Sequence, residues 1–224
     1  RPAVATDLAG NFVVVWDSWG SAGSAHLAYS VQARRFRADG VALDRDDLQV
    51  NTFVTNSQFY PVVATLPAGG FVVAWYDGYG AGGNLRARRF ANDGSPLDPV
   101  EFQVSTFTAN EGVPRRPAIA ASPDAGFIVV WEVTPPAGVG PYRFFARRFG
   151  ADGLPLDPVE FQVNTYTTSR REHASVAMNP EGDFVVAWDS YGSWGDDTSL
   201  RSIQARRFSR AWRRNRVISG LYPA

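Results

Sequence analysis

The sequence predicts an all-β fold, a β-propeller of four-stranded antiparallel blades, and three observations predict it. The first is an internal repeat. Pro2-Ala3-Val4-Ala5, Pro61-Val62-Val63-Ala64, Pro117-Ala118-Ile119-Ala120 and Ala174-Ser175-Val176-Ala177 open four units spaced 59, 56 and 57 residues apart. The second is that each unit divides into four short runs rich in Val, Phe, Trp and Thr, bounded by Gly, Pro, Asn and Asp. The third is that no window carries an apolar period of 3.6, so helix content should be close to nil. Four strands per unit in a repeat of this length describe the blades of a propeller. A stacked solenoid is the competitor, but solenoid coils are usually shorter. One propeller domain is expected over 1–224, with blades at about 2–60, 61–116, 117–173 and 174–224.

Taken in order, the first strand of each unit is the short apolar run that follows the opening proline. The second follows a Gly-containing turn and ends on Trp16, Trp75, Trp131 or Trp188; a tryptophan at that point suits packing between neighbouring blades. The third carries Ala-Arg-Arg-Phe at 33–36, 87–90, 146–149 and 205–208. The two-residue period of a strand sends Arg34 with Phe36 to one face and Arg35 with Ala33 to the other. Then come Asp39-Gly40, Asp93-Gly94 and Asp152-Gly153, and a fourth run, Gln-Val-Asn/Ser-Thr, at Gln49, Gln103 and Gln162. In the fourth unit Ser209 to Asn215 replaces the Asp-Gly turn, which leaves its outer hairpin in question. Leu221-Tyr222-Pro223-Ala224 resembles Phe59-Tyr60-Pro61-Val62, where a new unit begins. The four units are therefore either a complete four-bladed ring, closed by those residues beside the first blade, or a fragment of a larger propeller.

Composition excludes several classes. The 224 residues are 45% apolar and 20% charged, with 22 cations against 22 anions, which is neither a disordered nor a membrane-spanning composition. The longest apolar runs, such as Phe12 to Trp16, fall far below the roughly 20 residues a transmembrane helix needs. There is no cysteine, hence no disulfide framework and no thiolate metal site. The chain starts at Arg1 with no charged-then-apolar leader, so a signal peptide is expected to have been removed, or the chain to be a fragment.

The motif set G-x-F-V-V-x-W, A-R-R-F, D-G and F-Q-V-N-T, covering nearly the whole chain, resembles tandem repeats of large secreted or surface β-propeller-like proteins of bacteria. The resemblance implies an extracellular module and brings no catalytic residues.

Function is expected on the face that carries the long, divergent second-to-third strand loops and the unit-to-unit connections, because variable loops on a rigid frame hold binding residues. Three of those loops share Asp17-Ser18-Trp19-Gly20, Asp77-Gly78-Tyr79-Gly80 and Asp189-Ser190-Tyr191-Gly192, with Trp194 close behind. An exposed ring covers the C–H face of a sugar while a carboxylate accepts its hydroxyl hydrogen bonds. Asp17, Trp19, Asp77, Tyr79, Asp189, Tyr191 and Trp194 are thus the candidate ligand residues. The competing reading is that the rings plug gaps between blades and the acids pair with repeat arginines. All 22 cations are arginine, and a guanidinium fork placed once or twice per blade suits structural bridging to carboxylates and carbonyls.

Catalytic signals are thin. His26 and His173 are the only histidines, in no metal-binding spacing. The innermost strands read Ala3-Val4-Ala5 and Val62-Val63-Ala64, an apolar wall where a propeller hydrolase would carry its acids. An enzyme would draw its carboxylates from Glu111, Glu172, Asp196 and Asp197. Calcium is the one cofactor considered, at Asp189, Asp196 and Asp197, although no Asp-x-Asp-x-Asp-Gly loop is present. From Thr198 onward there are seven arginines and no acid, yet no nucleic-acid partner is expected because several belong to the ordinary repeat. These observations lead to a non-enzymatic, secreted or surface-exposed, lectin-like binding module with a carbohydrate or protein ligand. Its alternative is a structural or adhesive repeat domain, with a propeller hydrolase the remote third; self-association is left open.

Overall fold

A computed structural model describes residues 1–21, 28–66, 69–78, 83–106, 112–122, 126–135, 142–165, 171–190 and 202–211. The first blade contains β1 (Ala3–Thr6), β2 (Phe12–Trp19), β3 (Tyr29–Phe36) and β4 (Leu48–Gln49). The second has β5 (Gln58–Thr65), β6 (Phe71–Asp77), β7 (Asn84–Phe90) and β8 (Phe102–Gln103). The third has β9 (Val113–Ser122), β10 (Gly126–Thr134), β11 (Arg143–Phe149) and β12 (Phe161–Gln162). The fourth has β13 (Arg171–Met178), β14 (Phe184–Ser190) and β15 (Ser202–Phe208). Each blade is an antiparallel meander in sequence order, four-stranded in the first three and three-stranded among the described residues of the fourth. The predicted all-β propeller is the observed fold. Among the described residues no helix is long and apolar enough to cross a membrane.

The first strands β1, β5, β9 and β13 lie against one another in succession and define the inner side of the array. Three apolar cores fill the spaces between consecutive blades. Val13, Val15, Val31 and Ala33 of blade 1 meet Phe71, Val73 and Trp75 of blade 2. Val72, Ala74, Leu85 and Ala87 of blade 2 meet Phe127, Val129 and Trp131 of blade 3. Ile128, Val130, Phe144 and Ala146 of blade 3 meet Phe184, Val186 and Trp188 of blade 4. Every blade therefore has two different faces, one that receives the next blade and one, carrying Phe, Val and Trp, that inserts into the previous blade. The central strands β6 and β10 are buried on both sides, whereas β2 and β14 alternate, as a strand covered on one face alone must.

The face opposite the long loops is built from repeated tight turns, as the sequence predicts. Gly10, Gly69 and Gly182 end the first-to-second turns and Gly40, Gly94 and Gly153 the third-to-fourth turns, with φ between +80° and +87°. That left-handed conformation strains any residue with a Cβ. Asp44, Asp98 and Asp157 each accept the backbone N–H of the second repeat arginine and pair with its guanidinium. The expected structural pairing of the arginines is thus present in blades 1 to 3.

Candidate active site

Strand pairing on the long-loop face generates a set of equivalent positions. Asp17, Tyr76, Glu132 and Asp189 each follow the blade tryptophan and pair with Val31, Leu85, Phe144 and Ile203, all two residues before the alanine of Ala-Arg-Arg-Phe. Three blades thus place a carboxylate at one repeat position and the second places a phenol. Burial pushes the Tyr76 hydroxyl pKa up, partly opposed by Arg115, so the phenol stays neutral at neutral pH.

In blades 2, 3 and 4 the inner strand beside this position is irregular, whereas β1 pairs with β2 in unbroken register. The ladder shifts register between Phe59 and Val62, between Val130 and Glu132, and between Glu172 and Ser175. The residues at the shift, Tyr60, Arg116 and His173, have φ of 56°, 47° and 56°. They are the described non-glycine residues with positive φ, and they immediately precede Pro61, Pro117 and Ala174, which open their units. A bulge re-aims side chains, and left-handed backbone at a bulky residue is strain that clusters at functional sites. Each bulged residue lies against an acid of the set, Tyr60 through its backbone against Asp17 of the preceding blade, Arg116 and His173 through their side chains against acids of their own blades. Tyr60 donates its backbone N–H to Asp17 Oδ2 at 3.4 Å, with the Arg1 amino group on the other oxygen. Arg116 Nε lies 3.6 Å from Glu132, and His173 Nδ1 lies 3.5 Å from Asp189. His173 is well exposed while the three carboxylates are largely buried.

An aromatic track leads away from Asp17. Trp19 is 57% exposed and meets the Tyr29 ring edge-on at 5.2 Å. Tyr29 contacts Phe59 at 5.0 Å, and Phe59 contacts Tyr60 at 6.0 Å. The two-residue strand period puts Asp17 and Trp19 on one face of β2. Asp77 is placed otherwise. One residue beyond the acid position, it points with Trp75, is buried, and binds Arg86 Nε at 2.6 Å and Gln58 Nε2 at 3.2 Å; it braces the blade and is turned away from Asp17 and Asp189. Tyr79, Tyr191, Trp194, Asp196, Asp197, His26 and Glu111 lie outside the described residues, and the side chain of Glu172 is likewise not described. Among the described residues no group of three or more His, Cys, Asp or Glu could hold a metal ion.

The sequence offers Asp17 and Asp189 as sugar-binding residues rather than as catalytic acids, and does not single out Glu132, Tyr60 or Arg116 as candidates. A signal was present, since the residue before each unit-opening Pro or Ala is Arg1, Tyr60, Arg116 or His173, large and polar in every blade. A depression of about 860 Å³ opens between blades 3 and 4 at the tight-turn end. The one acid among its described lining residues, Asp157, is tied to Arg148 at 2.7 Å, so the described lining offers no second carboxylate of the kind hydrolysis requires.

No protein-family model and no curated protein sequence matches the chain. Solved structures do. An α-L-arabinanase of Penicillium chrysogenum, solved with arabinobiose, superposes with a TM-score of 0.63 at 15% identity over 94% of this chain and 63% of its own. An α-L-arabinofuranosidase of Fusarium graminearum, also solved with arabinobiose, gives 0.59 at 11% identity over 92% and 60%. An endo-arabinase of Bacteroides thetaiotaomicron gives 0.54 at 9% identity over 93% and 74%. What is shared is the fold. The expectation of a non-enzymatic module, lectin-like or adhesive, is corrected by this finding, since these three structures share the fold and are themselves glycosidases. The apolar inner strands do not decide the matter, because the acids that recur in this chain stand at the ends of the second strands.

Proposed function

We propose that this propeller is a glycoside hydrolase acting on an arabinose-containing glycan, with its carboxylates drawn from Asp17, Glu132 and Asp189. The observation that carries this reading is the recurrence of an acid at one repeat position in three blades, each beside a bulged inner-strand residue. Hydrolysis of a glycosidic bond needs one carboxyl group to protonate the leaving oxygen and a second to activate water or attack the sugar. Distinct neighbours give otherwise similar acids distinct roles. Asp189 sits beside an exposed imidazole, while Glu132 is the most buried of the three and faces a permanently charged guanidinium. The track Trp19, Tyr29, Phe59 and Tyr60 offers apolar rings against which sugar C–H faces stack. The arabinose preference is borrowed from the proteins that share the fold.

The experiment is release of reducing ends from arabinan, and of nitrophenol from an aryl α-L-arabinofuranoside, by the purified chain. Glu132→Gln and Asp189→Asn are each expected to lower kcat by about 100-fold or more, and Trp19→Ala to raise KM on the polymer with kcat little changed. Asp39→Asn, in an exposed turn at the far end, should leave both constants unaltered. A chain that releases no sugar from either substrate overturns the assignment.

A further inference from the structure

The three interblade interfaces use equivalent positions each time, so the two faces that no described blade covers can be compared with them position by position. On the receiving face, Val13, Val72 and Ile128 are buried, and so are Val31, Leu85 and Phe144. Their equivalents in blade 4, Val185 and Ile203, are 40% and 75% exposed. On the inserting face Val63 is buried against blade 1, while its equivalent in blade 1, Val4, is 62% exposed.

Two hydrogen-bonded latches repeat the contrast. The first arginine of Ala-Arg-Arg-Phe reaches back across each interface. Arg88, Arg147 and Arg206 donate to the carbonyls of Val50, Val104 and Val163 of the preceding blade at 2.9, 3.1 and 2.9 Å. Among the described residues Arg34 of blade 1 binds within its own blade alone, at the Asp44 and Arg45 carbonyls and Asp47, and its buried Nε meets no acceptor there. The second arginine reaches forward. Arg35, Arg89 and Arg148 donate to the turn carbonyls of Asn92, Ala151 and Arg210 in the following blade, and their side chains are 11–14% exposed. Arg207 of blade 4 binds Asp183 within its blade and is 77% exposed. The carbonyl at the matching turn of blade 1 belongs to Ala38, which is exposed. The turn glycines agree: a Cβ on Gly94 or Gly153 would meet Arg35 or Arg89 within 3.0 Å, but one on Gly40 would meet nothing within 4 Å.

We propose that a second copy of this chain docks head to tail on these faces, the receiving face of blade 4 in one copy taking the inserting face of blade 1 in the next. Val185 and Ile203 cover Val4, Val14 and Trp16, and Arg207 donates to the Ala38 carbonyl. The contact is the established interblade interface made once more between chains. Because it joins two different faces, it closes a ring of blades or continues into a longer assembly, according to the rotation between copies.

Sedimentation velocity on the whole chain over a range of concentrations tests this. Concentration-dependent association is expected. Ile203→Arg and Val4→Arg, both at exposed positions, should each weaken self-association by about 10-fold or more. Mixed together, the two variants should form a one-to-one complex, because the first retains an intact blade 1 face and the second an intact blade 4 face. A wild-type chain that stays monomeric at every concentration overturns the proposal. So does association that survives both substitutions, or a mixture of the variants that does not pair.

Discussion

At the scale of single residues, one sequence letter has different consequences in different blades because its neighbours differ. Gly40 and Gly153 share a turn position and nearly the same φ, +83° and +80°. Alanine at Gly40 meets only the left-handed penalty, about 1 kcal/mol. Alanine at Gly153 also drives its Cβ to 2.7 Å from Arg89 Nε, a guanidinium held by Asp98 at 2.6 Å. Urea denaturation should therefore place Gly153→Ala about 1 kcal/mol or more below Gly40→Ala in stability, since a charge-assisted hydrogen bond is displaced as well. Equal losses would show that the arginine swings aside freely. Tyr60, Arg116 and His173 are the converse case, in which three unlike side chains accept one strained backbone conformation.

At the scale of elements, the blades are joined by a carboxylate latch as well as by apolar surface. Glu101, ahead of β8, accepts hydrogen bonds from the Thr52 N–H and hydroxyl and from the Phe53 N–H, all just after β4 of blade 1. Glu160 repeats the bond to Thr106 between blades 2 and 3. Burial of Glu101 opposes its charge, but the Thr52 and Phe53 donors outweigh it and hold the carboxyl below its ordinary pKa. A lowered native pKa means that the unfolded chain takes up a proton first on acidification. The stabilisation is whole above the ordinary glutamate value near 4.3 and is lost as pH falls through the lower native value. Thermal unfolding of the wild type should accordingly fall away faster than that of Glu101→Gln as pH drops below about 4.3. Parallel pH profiles would remove Glu101 from the account.

At the scale of the whole molecule, stability is spread unevenly by topology. β6 and β10 are buried on both faces, β2 and β14 on one. In an array whose units touch only their neighbours, the terminal units open at lower cost than the central ones. Amide hydrogen exchange should be slowest in β6 and β10 and faster in β2 and β14, and conditions that drive association should slow β2 and β14 selectively. Uniform protection across the four blades would contradict this ordering. The same topology sets the long-loop face, where the acids stand, apart from the tight-turn face, which is scaffold.

The repeat, the four strands per blade, the tight turns and the structural use of the paired arginines were all legible in the residues, because each depends on local periodicity and turn chemistry that recur every 56–59 positions. The candidate site was legible only in part. Asp17 and Trp19 share a strand face by the simple period of two, and the sequence places them together. Asp77 looked equivalent to Asp17 and Asp189 because its loop carries a similar string, but the register puts it one residue further on and so on the opposite face, where Arg86 and Gln58 claim it. Residue order could not convey the kinship of Glu132 with Arg116 or of Asp189 with His173. Those pairs arise from antiparallel pairing across a bulge, and a bulge shifts by one residue everything that local periodicity would predict. That blades form, and what each face of a blade is made of, follows from the local repeat; which faces are covered, and which side chains meet across a bulge, depends on how many blades lie alongside and in what register.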